Sequence, residues 1–188
     1  MIPFSPPFVD QDVIKEVVDS LNSGWITSGP KVKALEEEVS ELTSVSHTVC
    51  VNSWTSGAIL VLKWFGVKEG DEVIVPAYTY SATALAVIHC GATPVMVDVT
   101  DDFIINTKLI QAAITKKTKV IIPVDIAGWP CDYNAINALV NTSSSIKLFN
   151  PESEKQKQLG RILVVSDAAH SIGATYKGLQ SGNLTDLT

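Results

Sequence analysis

The chain has 188 residues, of which 46% are hydrophobic and 18% charged, a balance typical of a globular protein with a substantial core. The net charge of -6, from 20 acidic and 14 basic residues, excludes the basic surface of a nucleic-acid-binding protein. The N-terminal residues do not resemble a signal peptide, the apolar runs are too short for a membrane span, and the three cysteines lack the spacing of a metal site. We expect a cytoplasmic protein with buried free thiols, no metal, no membrane contact and no nucleic-acid partner.

Two helices are predicted at the start of the chain. Apolar residues at helical spacing between Val13 and Leu21 predict the first, and Gly24 ends it. Pro30 begins the second, in the first-turn position where proline is tolerated. Its predicted buried stripe consists of Val32, Leu35, Val39 and Leu42.

Short apolar runs then alternate with helical patterns. The predicted strands are 48–51, 72–75, 94–97, 119–124 and 162–165, and the predicted helices are 56–65, 81–90, 107–114 and 132–140. This alternation indicates an α/β fold with a mainly parallel sheet and helices on both faces. The polar segment 141–161 lacks apolar periodicity, and we predict an exposed loop there.

Two strand-to-helix junctions carry polar and aromatic side chains. Thr55, Ser56 and Gly57 stand at the start of a predicted helix, where free N–H groups and hydroxyls can hold a phosphate. Tyr78 and Tyr80 follow the next strand, where an aromatic ring can stack on a planar ligand. Taken alone, the first junction is also explained by an ordinary helix cap and the second by packing.

A third junction places Asp167 two residues after the buried strand 162–165, with His170 about one helical turn later. A carboxylate there stays ionised only with a cationic or hydrogen-bonding partner. A capping aspartate beside an exposed histidine explains this pair equally well. Because ligands bind at the carboxyl ends of strands in open α/β sheets, the three junctions would meet at one edge. A phosphate cradle, a stacking ring and an anion for a ring nitrogen together match pyridoxal 5'-phosphate (PLP).

Five motifs run in order along the chain: GWITSGP at 24–30, NSWTSG at 52–57, GDEVIVPAYTYSAT at 70–83, GATPV at 91–95 and DAAHSIGATYKG at 167–178. Together they resemble the DegT/DnrJ/EryC1/StrS family of sugar aminotransferases. The resemblance implies the type I aminotransferase fold, with 1–188 as an incomplete large cofactor-binding domain, and a homodimer that uses PLP. It also implies amino transfer, usually from glutamate, to a nucleotide-linked keto-sugar, for lipopolysaccharide or other surface polysaccharide synthesis.

The resemblance further implies the roles of individual residues. Asp167 would bind the pyridine nitrogen, Tyr80 would stack on the ring, and His170 would contact the side of the ring hydroxyl. The remaining positions are Thr55, Ser56 and Gly57 in the phosphate-binding turn, Thr27 and Ser28 in a loop that lines the substrate site, and Trp54, where relatives usually carry a small residue.

The Schiff-base lysine of the family follows this region, beyond Thr188. We therefore expect no catalytic lysine within the 188 residues and an inactive chain as given. The alternative is a non-catalytic paralogue that binds the cofactor or dimerises. A dinucleotide-dependent dehydrogenase lacks its glycine fingerprint here, and a cysteine desulfurase lacks a recognisable catalytic cysteine context.

Overall fold

The computed structural model describes residues 6–188, in which a four-stranded parallel sheet forms the centre of the fold. Its strands are β1 (Glu72–Pro76), β2 (Thr93–Val97), β3 (Thr118–Ile121) and β4 (Leu163–Val164), in the order β2-β1-β3-β4. A separate antiparallel hairpin consists of β5 (Thr175–Tyr176) and β6 (Leu179–Gln180). Residues 1–5, part of the segment that does not resemble a signal peptide, lie outside the described residues.

From residue 54 to residue 140 helices alternate with strands as the sequence predicts. The helices are α1 (Gln11–Ser23), α2 (Pro30–Thr43), α3 (Trp54–Phe65), α4 (Ala82–His89), α5 (Thr107–Ala113), α6 (Tyr133–Val140), α7 (Ser143–Leu148) and α8 (Glu154–Leu159). The cap of α1 follows the predicted signals, since Asp10 accepts a hydrogen bond from the Val13 amide and Gly24 adopts a left-handed conformation at φ 71°. None of the helices within 6–188 combines the length and the apolar character that crossing a membrane requires.

The strand order reverses direction between β1 and β3. From β1 the chain passes through α4 to β2 on one side, and from β2 it returns through α5 to β3 on the other side of β1. Because such crossovers are right-handed in nearly all proteins, α4 and α5 lie on opposite faces of the sheet. In agreement, α4 packs against α3, whereas α5 packs against α6. The expected α/β fold with a parallel sheet is confirmed.

The core consists of the central strands and the helix faces that cover them. Residues 73–76 of β1 and all residues of β3 and β4 are buried, as expected for strands covered on both faces. β2 is an edge strand, where Pro94 removes no hydrogen bond that a neighbour needs and Met96 is exposed. All three cysteines are free, Cys90 and Cys131 are buried and Cys50 is half-buried.

The loop predicted at 141–161 is wrong, although most residues of the segment are exposed as predicted. The segment forms α7 and α8, and it contains buried residues. Gln156 has no exposed surface, and its Nε2 donates to the Phe65 carbonyl oxygen at 3.1 Å. The Ser153 hydroxyl donates to the same oxygen at 2.7 Å and also caps α8. These contacts are made by polar side chains, so the apolar period of the sequence does not reveal them.

Three further expectations differ from the structure. No strand forms at 48–51, and β3 ends at Ile121. The stripe predicted to be buried on α2 is largely open, with Leu35 51% and Leu42 48% exposed. The apolar face of α1 is also exposed, and that helix has no buried residue. Local periodicity defined these helices correctly but did not determine what covers them.

A buried cation links segment 141–161 to the sheet. The Lys119 side chain on β3 is 1% exposed, and its ammonium donates to the Asn150 carbonyl oxygen. The Lys119 Nζ lies 3.7 Å from Asp71 Oδ1, 3.8 Å from Glu152 Oε1 and 5.8 Å from the centre of the Phe149 ring. Burial raises the pKa of Asp71, and the charge of Lys119 opposes that rise.

Candidate active site

A cavity of about 210 Å³ lies at the carboxyl ends of β1, β3 and β4. This is the point at which the strand order reverses, and in open α/β sheets it is the place where a crevice forms and ligands bind. The residues around it come from the starts of α3 and α4 and from the segments after the three strands. They are Trp54, Thr55, Thr79, Tyr80, Ala82, Val124, Asp125, Ile126, Asp167, Ala169 and His170.

The N-terminus of α3 lies at this edge, since Trp54 and Thr55 in its first turn border the cavity. Ser53 caps the helix, and its hydroxyl accepts a hydrogen bond from the Ser56 amide at 3.1 Å. The amides of Trp54 and Thr55, in the first turn, have no acceptor within the helix. Two N–H groups and the positive end of the helix dipole therefore remain for an anion beside the cavity.

Thr55 borders the cavity as predicted, together with Trp54, whereas Ser56 and Gly57 do not border it. The Ser56 hydroxyl accepts a hydrogen bond from the Ser53 hydroxyl at 3.0 Å. A Cβ at Gly57 would lie 3.2 Å from Val51 Cγ2, so the glycine permits close packing of the helix on the preceding segment. The phosphate-binding roles of Ser56 and Gly57 stay predictions.

The two candidate tyrosines separate in the structure. Tyr80 borders the cavity, and 79% of the residue is exposed at its rim. Tyr78 packs instead against Phe103, with ring centres 5.3 Å apart and planes at 43°. Of the two residues, Tyr80 is the one available to stack on a ligand in the cavity.

Asp167 is buried, at 8% exposure, and its carboxylate is weakly hydrogen-bonded. Oδ1 accepts from the Ala169 amide at 3.3 Å, and Oδ2 accepts from the Thr83 hydroxyl at 3.4 Å. Burial raises the pKa of Asp167, and the two hydrogen bonds offset this only in part. The carboxylate is thus held at the cavity with too few donors, a state that a cationic ligand would relieve.

Backbone pairing fixes the place of Asp167. Its amide donates to the Pro123 carbonyl at 2.8 Å, and its carbonyl accepts from the Asp125 amide at 3.0 Å, which extends the parallel pairing of β3 and β4 by one bridge. His170 is exposed and borders the same cavity. Asp167 and His170 therefore lie together, as their spacing predicts.

These residues fit PLP. The molecule carries a phosphate at one end and a ring nitrogen that can be protonated at the other. The start of α3 offers free amides at one side of the cavity, and Asp167 offers a carboxylate with long hydrogen bonds at another. The exposed ring of Tyr80 lies at the rim between solvent and cavity.

Asp167 makes the ligand-free protein sensitive to pH, and we predict the direction. The pKa of Asp167 is raised on folding. The stability that its protonated carboxyl contributes is therefore fully present below the ordinary pKa of 3.8, and it is lost as the pH rises through the folded value. Without PLP, Asp167→Asn should therefore have the same free energy of unfolding as the wild type at about pH 3.5 and a higher one at about pH 7. Urea unfolding of both proteins across this range measures the difference. A difference that does not change with pH would contradict the prediction.

Thr27 and Ser28 are not brought to the cavity. They lie in the loop between α1 and α2, where the Ser28 carbonyl accepts a hydrogen bond from the Trp25 indole at 2.9 Å. Their substrate-binding role stays a prediction. Two residues near the site were missed: Thr83, which contacts Asp167, and Asp125, which borders the cavity. The position of Asp125 directly after the predicted strand 119–124 is the same signal that identified Asp167.

Comparisons with known proteins agree with this geometry. The chain is 36% identical over its 188 residues to the spore coat polysaccharide biosynthesis protein SpsC of Bacillus subtilis, and it covers 44% of that protein. It also matches Spr1654 of Streptococcus pneumoniae, assigned as a sugar aminotransferase. The PLP form of Spr1654 gives a TM-score of 0.94 at 50% identity, over 98% of this chain and 47% of that chain. The PMP form of Spr1654 gives a TM-score of 0.95 at 50% identity, over 99% of this chain and 46% of that chain.

A more distant structure shares the fold. PseC of Helicobacter pylori, an aminotransferase involved in the biosynthesis of pseudoaminic acid, gives a TM-score of 0.82 at 26% identity, over 97% of this chain and 45% of that chain. This chain thus spans less than half the length of these relatives. The model of the DegT/DnrJ/EryC1/StrS aminotransferase family, whose members depend on PLP, matches residues 7–150. The chain belongs to the DegT/DnrJ/EryC1/StrS aminotransferase family.

Proposed function

We propose that this chain is the cofactor-binding part of a PLP-dependent aminotransferase. The full reaction transfers an amino group from glutamate to a nucleotide-linked keto-sugar, for lipopolysaccharide or another surface polysaccharide. The observation that carries the proposal is the buried, weakly hydrogen-bonded carboxylate of Asp167 at a cavity that the start of α3 also borders. The relatives assigned to sugar transamination and polysaccharide synthesis support the substrate class.

Four residues at the cavity have assigned tasks in this proposal. Bound PLP supplies an electron sink for the pair of electrons left at carbon when a proton is removed. Asp167 holds the proton on the ring nitrogen, because its charge stabilises the cationic ring. The amides of Trp54 and Thr55, with the Thr55 hydroxyl, bind the phosphate and orient the ring. Tyr80 covers a ring face and excludes water from it.

The proton transfer itself needs a base, and we propose that a lysine outside this sequence supplies it. No lysine borders the cavity within residues 6–188, and Lys177 lies with its ammonium 4.9 Å from the centre of the Tyr176 ring. The same observation favours the second candidate function, a non-catalytic paralogue that binds PLP without a covalent bond. We further propose that the protein forms a homodimer, as the family resemblance implies, and that it is located in the cytoplasm.

Reduction with borohydride tests this proposal. PLP is added to the 188-residue chain and to a version extended along the downstream reading frame, and labelled lysines are then mapped by mass spectrometry. We expect reversible binding to the short chain and one specific adduct on the extended chain, at a lysine beyond Thr188. Pyridoxal without its phosphate serves as the control and should bind more weakly to both.

Two outcomes would count against the proposal. Specific labelling of a lysine within residues 1–188 would show that the base lies in this part of the chain. An absence of PLP binding by both versions would refute the cofactor assignment. If the extended chain binds PLP but gives no specific adduct, the non-catalytic candidate is favoured instead.

A further inference from the structure

Asp125 and Asp167 occupy equivalent places after neighbouring strands but have opposite surroundings. The Asp125 carboxylate is 1% exposed and accepts four hydrogen bonds. On Oδ1 the donors are the Tyr133 hydroxyl and the Cys131 amide, the latter at 3.0 Å. On Oδ2 they are the hydroxyls of Ser171 at 2.8 Å and Ser181 at 3.4 Å. Asp167, by contrast, has two long hydrogen bonds within residues 6–188.

The Ser171 contact connects Asp125 to the turn that carries the candidate cofactor residues. Ser171 is 1% exposed and closes the turn 168–171, because its amide donates to the Ala168 carbonyl at 2.9 Å. Its hydroxyl also lies 2.7 Å from the Ser181 hydroxyl. The turn between Asp167 and His170 is therefore attached at its far end to a carboxylate on the neighbouring strand segment.

The backbone after Asp125 packs closely against the same turn. Gly128 adopts φ 83°, and a Cβ there would lie 2.8 Å from the His170 carbonyl oxygen. The amide of Asp125 donates to the Asp167 carbonyl at 3.0 Å. The segment 125–128 thus contacts the turn at its beginning, through Asp167, and at its end, through His170 and Ser171.

We propose that Asp125 is a positioning residue for the cofactor site. Through Ser171 its carboxylate holds the turn 168–171 in place, which fixes His170 and the Ala169 amide that donates to Asp167 Oδ1 before a ligand binds. Such preorganisation raises affinity because the ordering cost is met on folding. This inference rests on the proposed PLP-binding function. Asp125 also contributes a negative charge that raises the pKa of Asp167, behind the larger effect of burial.

Hydrogen exchange without PLP tests the attachment itself. Ser171→Ala removes the donor to Asp125, and we expect exchange of the Ser171 amide to be about tenfold faster or more, since a hydrogen bond to a charged group is lost. The Ile122 amide, bonded to the Ile74 carbonyl in the sheet, is the internal reference and should not change. Asp125→Asn keeps hydrogen-bonding atoms at this place and should retain slow exchange of the Ser171 amide. Unchanged exchange in Ser171→Ala would overturn the proposal.

PLP affinity tests the consequence. Tyr133→Phe is the matched control, because it removes a hydrogen bond to the same carboxylate on Oδ1 without touching the turn. We expect Ser171→Ala to lower PLP affinity about tenfold and Tyr133→Phe to change it by less than about twofold, even if both lose similar stability. Equal losses in both variants would indicate a general effect of stability and overturn the proposal.

PLP binding by the wild type and by Ser171→Ala separates the positioning role of Asp125 from the proposed PLP-binding function. If the wild-type chain binds PLP and Ser171→Ala binds it equally well, the positioning role is refuted while the proposed function stands. If the wild-type chain binds no PLP, the proposed function fails and the positioning role toward PLP fails with it. Hydrogen exchange then still decides whether Asp125 holds the turn.

Discussion

Asp167→Asn is expected to weaken PLP binding about 100-fold, which corresponds to about 3 kcal/mol. Asparagine keeps the shape of the side chain and an oxygen for the Ala169 amide, which lies 3.3 Å from Oδ1. It lacks the negative charge, so the protonated ring nitrogen would lose its partner in a buried place, where charges interact strongly. Titration of the purified protein with PLP, followed by cofactor absorbance, measures the change.

The absorbance spectrum gives a second measure of the same effect. A carboxylate beside the ring nitrogen raises the pKa of that nitrogen, so the wild-type complex should keep its protonated spectrum to a higher pH than the variant complex does. Asp19→Asn on α1 is the control, since Asp19 is exposed and pairs with Lys15 at 3.5 Å on the same helix. Equal PLP affinity of Asp167→Asn and wild type would show that Asp167 is not the partner of the ring nitrogen.

Asp167→Asn should also have opposite effects on stability and on binding. At about pH 7 and without PLP, the Asp167→Asn change stabilises the fold, because it removes the charge of a buried carboxyl whose pKa is raised. Loss of PLP binding in a more stable protein cannot result from unfolding. This trade-off is typical of a functional site, where a group is held in a place that suits its ligand better than the free protein.

Lys119→Ala is expected to lower the free energy of unfolding by about 4 kcal/mol. The variant leaves Asp71, at 4% exposure, without the cation 3.7 Å away, and it removes a donor from the Asn150 carbonyl. Breaking a buried ion pair from one side is costly because the remaining charge stays desolvated. Urea unfolding at neutral pH gives the value directly.

Two variants separate the lost charge from lost packing. Lys119→Met keeps most of the aliphatic stem and removes the ammonium, so it should lose less stability than Lys119→Ala. Lys68→Ala removes another cation next to Glu152, but the Lys68 side chain is 59% exposed, and we expect almost no loss of stability because water screens an exposed ion pair. A loss of that small size in Lys119→Ala would mean that the buried pair does not hold segment 141–161 to the sheet.

Much of the fold was predictable from local pattern. Runs such as Val73–Val75 and Ile162–Val165 are apolar without alternation, which is the pattern of strands covered on both faces, and both are buried. Gly24 and Pro30 bound the first two helices as predicted. Segment 141–161 was predicted wrongly because Gln156 is buried through a hydrogen bond to Phe65, 91 residues earlier in the chain, and no local period records such a contact.

The site was predictable to the level of the sheet edge. Each junction residue follows a strand or begins a helix, and parallel strands bring such positions to one edge. On that basis the sequence predicted that four residues lie together, and all four border one cavity: Thr55, Tyr80, Asp167 and His170. The same rule does not distinguish Tyr80 from Tyr78, since their roles differ through the contact of Tyr78 with Phe103.

The amino-acid sequence by itself determined the α/β alternation, the family and the edge at which ligands would bind, because these depend on local periodicity and on motif order. Only the tertiary structure decided which of two equivalent aspartates remains available. Asp125 is satisfied by Tyr133, Ser171 and Ser181, which lie 8, 46 and 56 residues away in the sequence. Asp167 is left with long hydrogen bonds to Ala169 and Thr83. The supply of donors to a buried carboxylate depends on distant segments that meet only in the fold, so this difference cannot be read from the chain alone.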